Sequence, residues 1–285
     1  MASPERRLGV SGYTARLEES RQVPGSWTLY VDGTPQSHVE LDRPDWLGFE
    51  YVRRIGHAID LVRPAGEPIT AVHLGAGALT LPRYVEATRP GSRQQVVELE
   101  SDLVDFVREH LPLPRGAQIR VRHGDAREVA AKLPAGLDGA VDVLVVDVFS
   151  GARTPAHVTS AEFYRLLAPR LAPGGILAVN VADGAGLAFA RSQLATLAHV
   201  FPHTAIAADT NMLKGRRFGN IVMYAGNDPL PFDRMPRLLA SDPAPAKLVE
   251  GDELDRFVAG ALVVTDASAV PSPPPSRQVF LTRNR

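Results

Sequence analysis

The sequence predicts a doubly wound α/β fold: a mostly parallel sheet with helices on both faces, an antiparallel hairpin at one edge, and a small β-hairpin lobe in front. Three observations carry this. Apolar runs of strand length alternate with stretches of helical spacing from residue 46 to residue 200, the pattern of parallel strands joined by crossover helices. The last two apolar runs, 204–208 and 220–224, are separated by a polar, Gly-containing loop with no helix between them, so they should pair antiparallel. Residues 1–45 lack the strand–helix alternation and are punctuated by turn signals instead.

In chain order, Thr14–Glu19 and Ser26–Val31 alternate apolar and polar side chains, with turns at Pro24-Gly25 and Asp32-Gly33; this reads as an N-terminal β lobe over 1–45. Trp46–Leu61 carries Leu47, Tyr51, Ile55 and Ile59 at helical spacing. Strands follow at Ala71–Leu74, Gln95–Leu99, Ile119–His123, Val141–Val146 and Ile176–Val181. Helices are expected at Leu79–Thr88, Ser101–His110, Ala126–Leu133, Ser160–Leu171 and Gly186–Val200. The closing hairpin is Thr204–Ala208 with Asn220–Tyr224, completing a Rossmann-like nucleoside-binding domain over 46–267. Residues 268–285 begin SAVPSPPPS and read as an extended Pro/Ser-rich tail. A parallel sheet that ends in such a hairpin favours the class I methyltransferase-type arrangement over that of the dinucleotide dehydrogenases.

Composition narrows the function. In 285 residues, 31 Lys and Arg face 32 Asp and Glu, for a net charge of −1, so no basic face points to nucleic acid. The absence of cysteine removes disulfides, thiolate catalysis and Cys-ligated zinc, and no metal is expected at the site. No apolar run approaches the roughly 18–20 residues that span a bilayer, and MASPERRLGVSGYTAR has no apolar core of a signal peptide. A cytoplasmic protein without membrane partners is expected.

The segment VHLGAGALTLPRYVEATRPGSRQQVVEL says most about ligands. A buried strand meets Gly75, Ala76 and Gly77, where the backbone can approach a ligand closely, and the next strand ends on an acid, Glu98, placed to accept from ribose hydroxyls. Ligands of such sheets bind beyond the carboxyl ends of the strands. Two more strand ends carry acids there: Asp125 in HGDAR, followed by Ala126, and Asp147 in LVVDVFSG. Asp125 suits the exocyclic amine of adenine and equally suits the cap of the helix after it. Asp147 lies where the reacting end of a nucleoside would sit. NAD and an S-adenosyl sulfonium both fit this much, but Thr80 interrupts the G-x-G-x-x-G spacing of a dinucleotide turn. His157, in ARTPAHVTS after the fourth strand, is a candidate general base near Asp147, and Asn180 at the end of the fifth is a candidate substrate contact. Glu162, Tyr164 and Asp183 read as structural.

At these residues the chain resembles the spermidine synthases, the polyamine aminopropyltransferases, from about Leu29 to Tyr224. LYVDGTPQ is similar to the family's segment ending in a glutamine, here Gln36, and YVRRIGH to its helix motif, here Tyr51 and His57. LGAGALTLPR resembles the Gly-rich turn through to Arg83, VVELE the ribose acid, HGDAR the adenine-side motif and VVDVFS the strand with the catalytic Asp. The resemblance implies that Gly75, Ala76, Gly77, Glu98, Asp125, Ala126 and Gln36 bind S-adenosylmethionine or its decarboxylated form. It further implies that Tyr51, His57 and Ser150 contact the acceptor, that Asp147 is catalytic, and that the N-terminal lobe forms a homodimer.

Departures from the family are concentrated on the acceptor side. Ala78 stands where the family carries an aspartate that pairs with the aminopropyl ammonium, Ser150 replaces a second aspartate, and the late loop TNMLKGRRFGN brings Lys214, Arg216 and Arg217 in place of a tyrosine. A diamine needs carboxylates or aromatic faces at each ammonium. The expected activity is therefore aminopropyl or methyl transfer from a sulfonium nucleoside to a small nucleophile other than plain putrescine. The alternatives are a catalytically inactive family member acting as a nucleoside-binding or dimeric scaffold and, more distantly, an NAD-linked oxidoreductase.

Overall fold

The computed structural model describes residues 3–274. Its first sheet is antiparallel and four-stranded, with β1 (Glu5–Arg7), β2 (Thr14–Glu19), β3 (Ser26–Val31) and β4 (Thr34–Glu40) adjacent in chain order. The alternation in β2 and β3 puts Ala15, Leu17 and Leu29 inside. β4 (TPQSHVE) carries one large aliphatic side chain, Val39, and so gives little sequence signal.

The second sheet has eight strands in the order β12-β10-β11-β9-β8-β5-β6-β7. β5 (Thr70–Leu74), β6 (Arg93–Glu98), β7 (Ile119–His123), β8 (Val141–Val146) and β9 (Leu171–Asp183) run parallel. The connecting helices are α2 (Thr80–Thr88), α3 (Ser101–His110), α4 (Ala126–Ala131) and α5 (Ala161–Leu167). β8 shows why central strands read as continuous apolar runs: every residue is buried, Leu144 and Val146 against one face and Val143 and Val145 against the other. Phe163, Leu194 and Ile206 continue the first of these layers, and Ile55, Ile59, Tyr224 and Met235 the second. A third cluster joins Leu17 and Leu29 of the small sheet to Val104 and Phe106 of α3, seating that sheet on the domain.

Several boundaries differ from expectation for identifiable reasons. The helix expected from Trp46 begins at Glu50 as α1 (Glu50–Val62); Arg53 turns back to the carbonyls of Leu47 and Gly48 at 2.7 and 3.2 Å, which holds 46–49 as a separate turn. After α6 (Ala188–Val200) come β10 (His203–Ala208) and β11 (Gly219–Gly226), antiparallel as expected. Their loop nevertheless holds a one-turn helix, α7 (Thr210–Leu213), capped by the Asp209 carboxylate on Asn211 and Met212 N–H. Nor does the hairpin form the sheet edge. After α8 (Met235–Ser241), β12 (Lys247–Val249) pairs with β10 and takes the edge, before α9 (Gly251–Val258). Residues 259–274 have no regular structure yet pack against the domain, so 268–274 are fastened instead of trailing; the rest of the expected tail, 275–285, lies outside the described residues. No helix among the described residues is long and apolar enough to cross a membrane.

Candidate active site

A cavity of about 1730 Å³ opens over the carboxyl ends of β5, β6, β8 and β9, walled by the small sheet, the 148–157 loop and the 259–274 segment. Single-ligand pockets occupy roughly 300–1,000 Å³, so there is room for two molecules side by side.

The floor is built from backbone. Gly75 has φ +96°, and a Cβ there would stand 2.2 Å from the Asp147 carbonyl oxygen. Only a glycine lets the turn after β5 pass this close to the end of β8. At Gly77 a Cβ would meet the Ser37 hydroxyl at 2.3 Å; that hydroxyl accepts from Ala78 N–H at 3.1 Å, so β4 closes over the turn. Ala78 is buried beneath this contact. Leu79 then enters α2 in the left-handed region, φ 60°, a conformation that costs a non-glycine residue about 1–2 kcal/mol.

At one end of the cavity, Glu98 accepts from Ala76 N–H at 2.9 Å and from Glu100 N–H at 3.0 Å. Burial raises its pKa, against those backbone donors. Glu100, which the sequence reading passed over, accepts from Val10 and Ser11 N–H at 3.0 and 2.6 Å and draws the N-terminal loop onto the same end. Asp125 caps α4 through Arg127 and Glu128 N–H, while its other oxygen lies 2.6 Å from His157 Nε2. It is thus a helix cap and a cavity-lining group at once, with Ala126 beside it. His157 is turned towards Asp125, and the partners of Asp147 are other residues. The general-base reading of His157 is therefore corrected.

At the other end stands Asp147. Asn180 donates to its Oδ1 at 2.8 Å, and the Tyr51 hydroxyl, which donates to Gln36 O at 3.4 Å, faces the same carboxylate. Burial pushes the Asp147 pKa up, and Asn180 and Tyr51 pull against it. The Tyr51 phenol is driven well above its ordinary range, first by burial and then by Asp147. Asn180 Oδ1 is buried without a partner, an acceptor beside the carboxylate. Phe49 lies 6.2 Å from the Tyr51 ring, and Phe218 and Asn220 line the same end. Gln36 donates to Gly151 O at 3.3 Å, and Ser150 pairs with Arg153 across a short bridge; both line the cavity through the loop after Asp147.

Two expectations, for His57 and for the 214–217 loop, change against the structure. His57 does not reach the cavity: its Nε2 lies 3.0 Å from Asp242 at the end of α8, because the register of α1 that points Tyr51 inward turns His57 towards the neighbouring helix. Replacing His57 by Ala leaves Asp242 buried and unpaired, and is expected to cost about 1–3 kcal/mol in denaturant unfolding with no change in KM for any substrate. Arg83 is likewise structural, its guanidinium held by the carbonyls of Ala78, Leu111 and Pro112. The basic loop is not a free cationic cluster. Arg217 pairs with Asp209 and with Glu50 at 3.1 Å, Glu50 also lies 3.5 Å from the buried Arg54, and Lys214 is outside the cavity lining, leaving Arg216 at the rim. Tyr164 bonds Gln193 at 2.8 Å, Glu162 accepts from Asp266 N–H, and Asp183, which also lines the cavity, accepts from Ala190 N–H of α6.

Known proteins bear on this geometry. The chain is 32% identical to a probable spermidine synthase from Corynebacterium glutamicum ATCC 13032, over 93% of this chain and 96% of that one, with a TM-score of 0.84. The chain belongs to the spermidine synthase family. It is also 29% identical over 207 residues to polyamine aminopropyltransferase 2 of Pseudomonas aeruginosa, covering 70% of this chain and 54% of that protein. The spermidine synthase from Thermotoga maritima, 14% identical with a TM-score of 0.58 over 91% of this chain and 84% of that one, shares the fold. The chain spans between 26% and 54% of the length of the curated relatives it matches. No family model matches it. This chain carries a carboxylate at the end of β8, Asp147, and has Ala and Ser at positions 78 and 150.

Proposed function

We propose that the protein is a transferase that moves an aminopropyl group from decarboxylated S-adenosylmethionine to a small amine, with Asp147 as the catalytic residue. The observation that carries this reading is the half-buried Asp147 carboxylate, bonded by Asn180, faced by Tyr51 and in backbone contact with the Gly75 turn. When bound, a sulfonium nucleoside supplies a carbon already activated for attack. The chain has to orient an amine, take its proton and exclude water. Glu98 holds the ribose hydroxyls, Asp125 and Ala126 lie at the base, and Gly75–Gly77 admit the tail. Asp147, with its pKa raised by burial, accepts the proton of the attacking nitrogen, and Asn180 Oδ1 accepts a second N–H.

Beyond Asp147, the polar groups of the acceptor end balance one another: Arg54, Glu50, Arg217 and Asp209 alternate in sign. Such an end offers no second free carboxylate to a dication, so the acceptor is a monoamine or a larger amine, not putrescine. Methyl transfer from intact S-adenosylmethionine is the second reading, favoured by Ala78, which removes a carboxylate that would repel the carboxylate of that donor. A binding-only scaffold has no use for a desolvated Asp147 with two positioned partners. The homodimer implied by the resemblance would use the N-terminal sheet.

Turnover with each donor against a panel of amines tests this directly. Product from the decarboxylated donor with monoamines supports the reading; methylated product supports the second, and nucleoside binding without any product overturns both. Since only ionised Asp147 accepts a proton and burial raises its pKa, the acid limb of the single-turnover profile should lie above the ordinary carboxylate value and vanish in Asp147→Asn. An Asp147→Asn profile with the wild-type acid limb would remove Asp147 from the proton's path.

A further inference from the structure

After α9 the chain passes α6 and the N-terminal ends of α5 and α4 and ends its described course at the cavity mouth. For a segment without regular structure it is firmly fastened. Val264 N–H donates to Thr196 Oγ1 at 2.9 Å, and Val264 O accepts from Ala161 N–H at 2.8 Å. Asp266 takes both terminal nitrogens of Arg127 at 2.7 Å each, with the Ser160 hydroxyl on one oxygen. Arg127 and Ser160 hold the Asp266 carboxyl at about 2, so the pair is charged throughout the working pH range. Further on, the buried Ser272 makes a reciprocal pair with Thr154: Ser272 N–H to Thr154 O at 3.0 Å, and Thr154 N–H to Ser272 Oγ at 2.8 Å. Arg153 Nε adds a bond to Ser272 O.

Two consequences meet here. Arg153 and Thr154 belong to the loop that follows Asp147, and Gln36 of the small sheet holds Gly151 of the same loop. The cavity roof is therefore tied from both sides. Apolar side chains on either side of the Asp266 anchor, together with Leu99 after β6, border the cavity here. Leu99, Leu262, Val263 and Val270 all line the cavity and are exposed, Leu262 to 79% and Val270 to 61%. Pro271 and Pro273 line it with them. Exposed apolar side chains gathered at one opening mark a surface that a ligand covers. Their place is the nucleoside end: Leu99 follows Glu98, and Arg127 stands two residues after Asp125 and also bonds His157 O at 3.0 Å.

We infer that residues 262–274 are a built-in strap forming the outer wall of the nucleoside subsite, with Asp266 and Ser272 as positioning residues and Val270-Pro271 as the apolar surface that covers the purine base. This rests on the nucleoside reading above. The strap acts on the base through Val270-Pro271 and on the roof loop through Ser272.

Calorimetric titration of the full chain with 5′-methylthioadenosine, beside amine KM values and hydrogen exchange, tests it. Asp266→Asn and Val270→Ser should each weaken nucleoside binding, Asp266→Asn by about tenfold for the loss of a bidentate charged pair, with the amine KM unchanged. Without any ligand, Ser272→Ala should speed amide exchange in residues 149–155. Val270 is largely exposed, so its variant folds even if Asp266→Asn does not. Wild-type binding with undiminished affinity in both variants overturns the strap alone. Failure of the wild type to bind 5′-methylthioadenosine overturns the nucleoside reading and the strap's ligand with it.

Discussion

Replacing Asp147 by Asn is expected to lower turnover about 10²–10⁴-fold, the range for loss of a positioned proton acceptor, while making the ligand-free fold at least as stable at neutral pH. The two effects have one cause. Burial raises the Asp147 pKa in the folded protein above its value in the unfolded chain. The folded state thus binds the proton more tightly, and stability falls as pH rises from the unfolded value through the raised folded one. Above that window the native site holds a desolvated charge that Asn does not carry. Asn180 keeps a partner in the variant, since an amide oxygen accepts from its Nδ2 as a carboxylate does. Steady-state rates and thermal melting across pH 4–8 check both halves: a variant that retains its rate, or that melts well below wild type at neutral pH, contradicts this account.

Gly75→Ala is expected to be the most damaging single-methyl change in the chain. The backbone there sits at φ +96°, and the new Cβ would overlap the Asp147 carbonyl oxygen at 2.2 Å. Strain of the left-handed backbone costs about 1–3 kcal/mol; the overlap adds to this because strand ends held in a sheet have nowhere to move. Gly66→Ala provides the control. Gly66 has φ +78° with nothing within 4 Å of its Cβ position, so it reports the backbone term alone. Denaturant midpoints of the two variants should differ by the cost of the contact, with Gly75→Ala clearly the less stable and its turnover collapsed. Equal midpoints would mean that the turn and the end of β8 are free to separate.

The parallel strands were legible because burial on both faces writes a continuous apolar run, as in Val141–Val146, and α3 because its buried side chains recur at helical spacing. β4 and β12 were not, since each carries few apolar residues and takes its place from the neighbour it pairs with, β3 and β10 respectively. At the site, acids at strand ends were visible as Glu98, Asp125 and Asp147, because a carboxylate after an apolar run is a strong local contrast. Which of their oxygens is free was not visible: Asp125 shares its carboxylate between a helix end and His157, a pairing 32 residues apart in the chain. His57 was misplaced for a related reason. A helix register tells which residues share a face, but Asp242, the partner that claims the imidazole, lies 185 residues away. The charges of the 214–217 loop likewise read as a basic patch until Glu50 and Asp209 were brought against Arg217.

The meeting of Gly75 with the Asp147 carbonyl has a consequence for how such a protein diversifies. Contact there is between main-chain atoms, so the offset between the Gly-rich turn and the Asp147 carboxylate is written into peptide geometry, and among nearby positions it is Gly75 itself that any added side chain would disturb. Side-chain exchanges at the cavity rim, at Glu50, Arg216, Phe218 and along 262–274, leave that offset intact. Novel chemistry can then be explored by drift at the periphery without re-solving alignment at the centre.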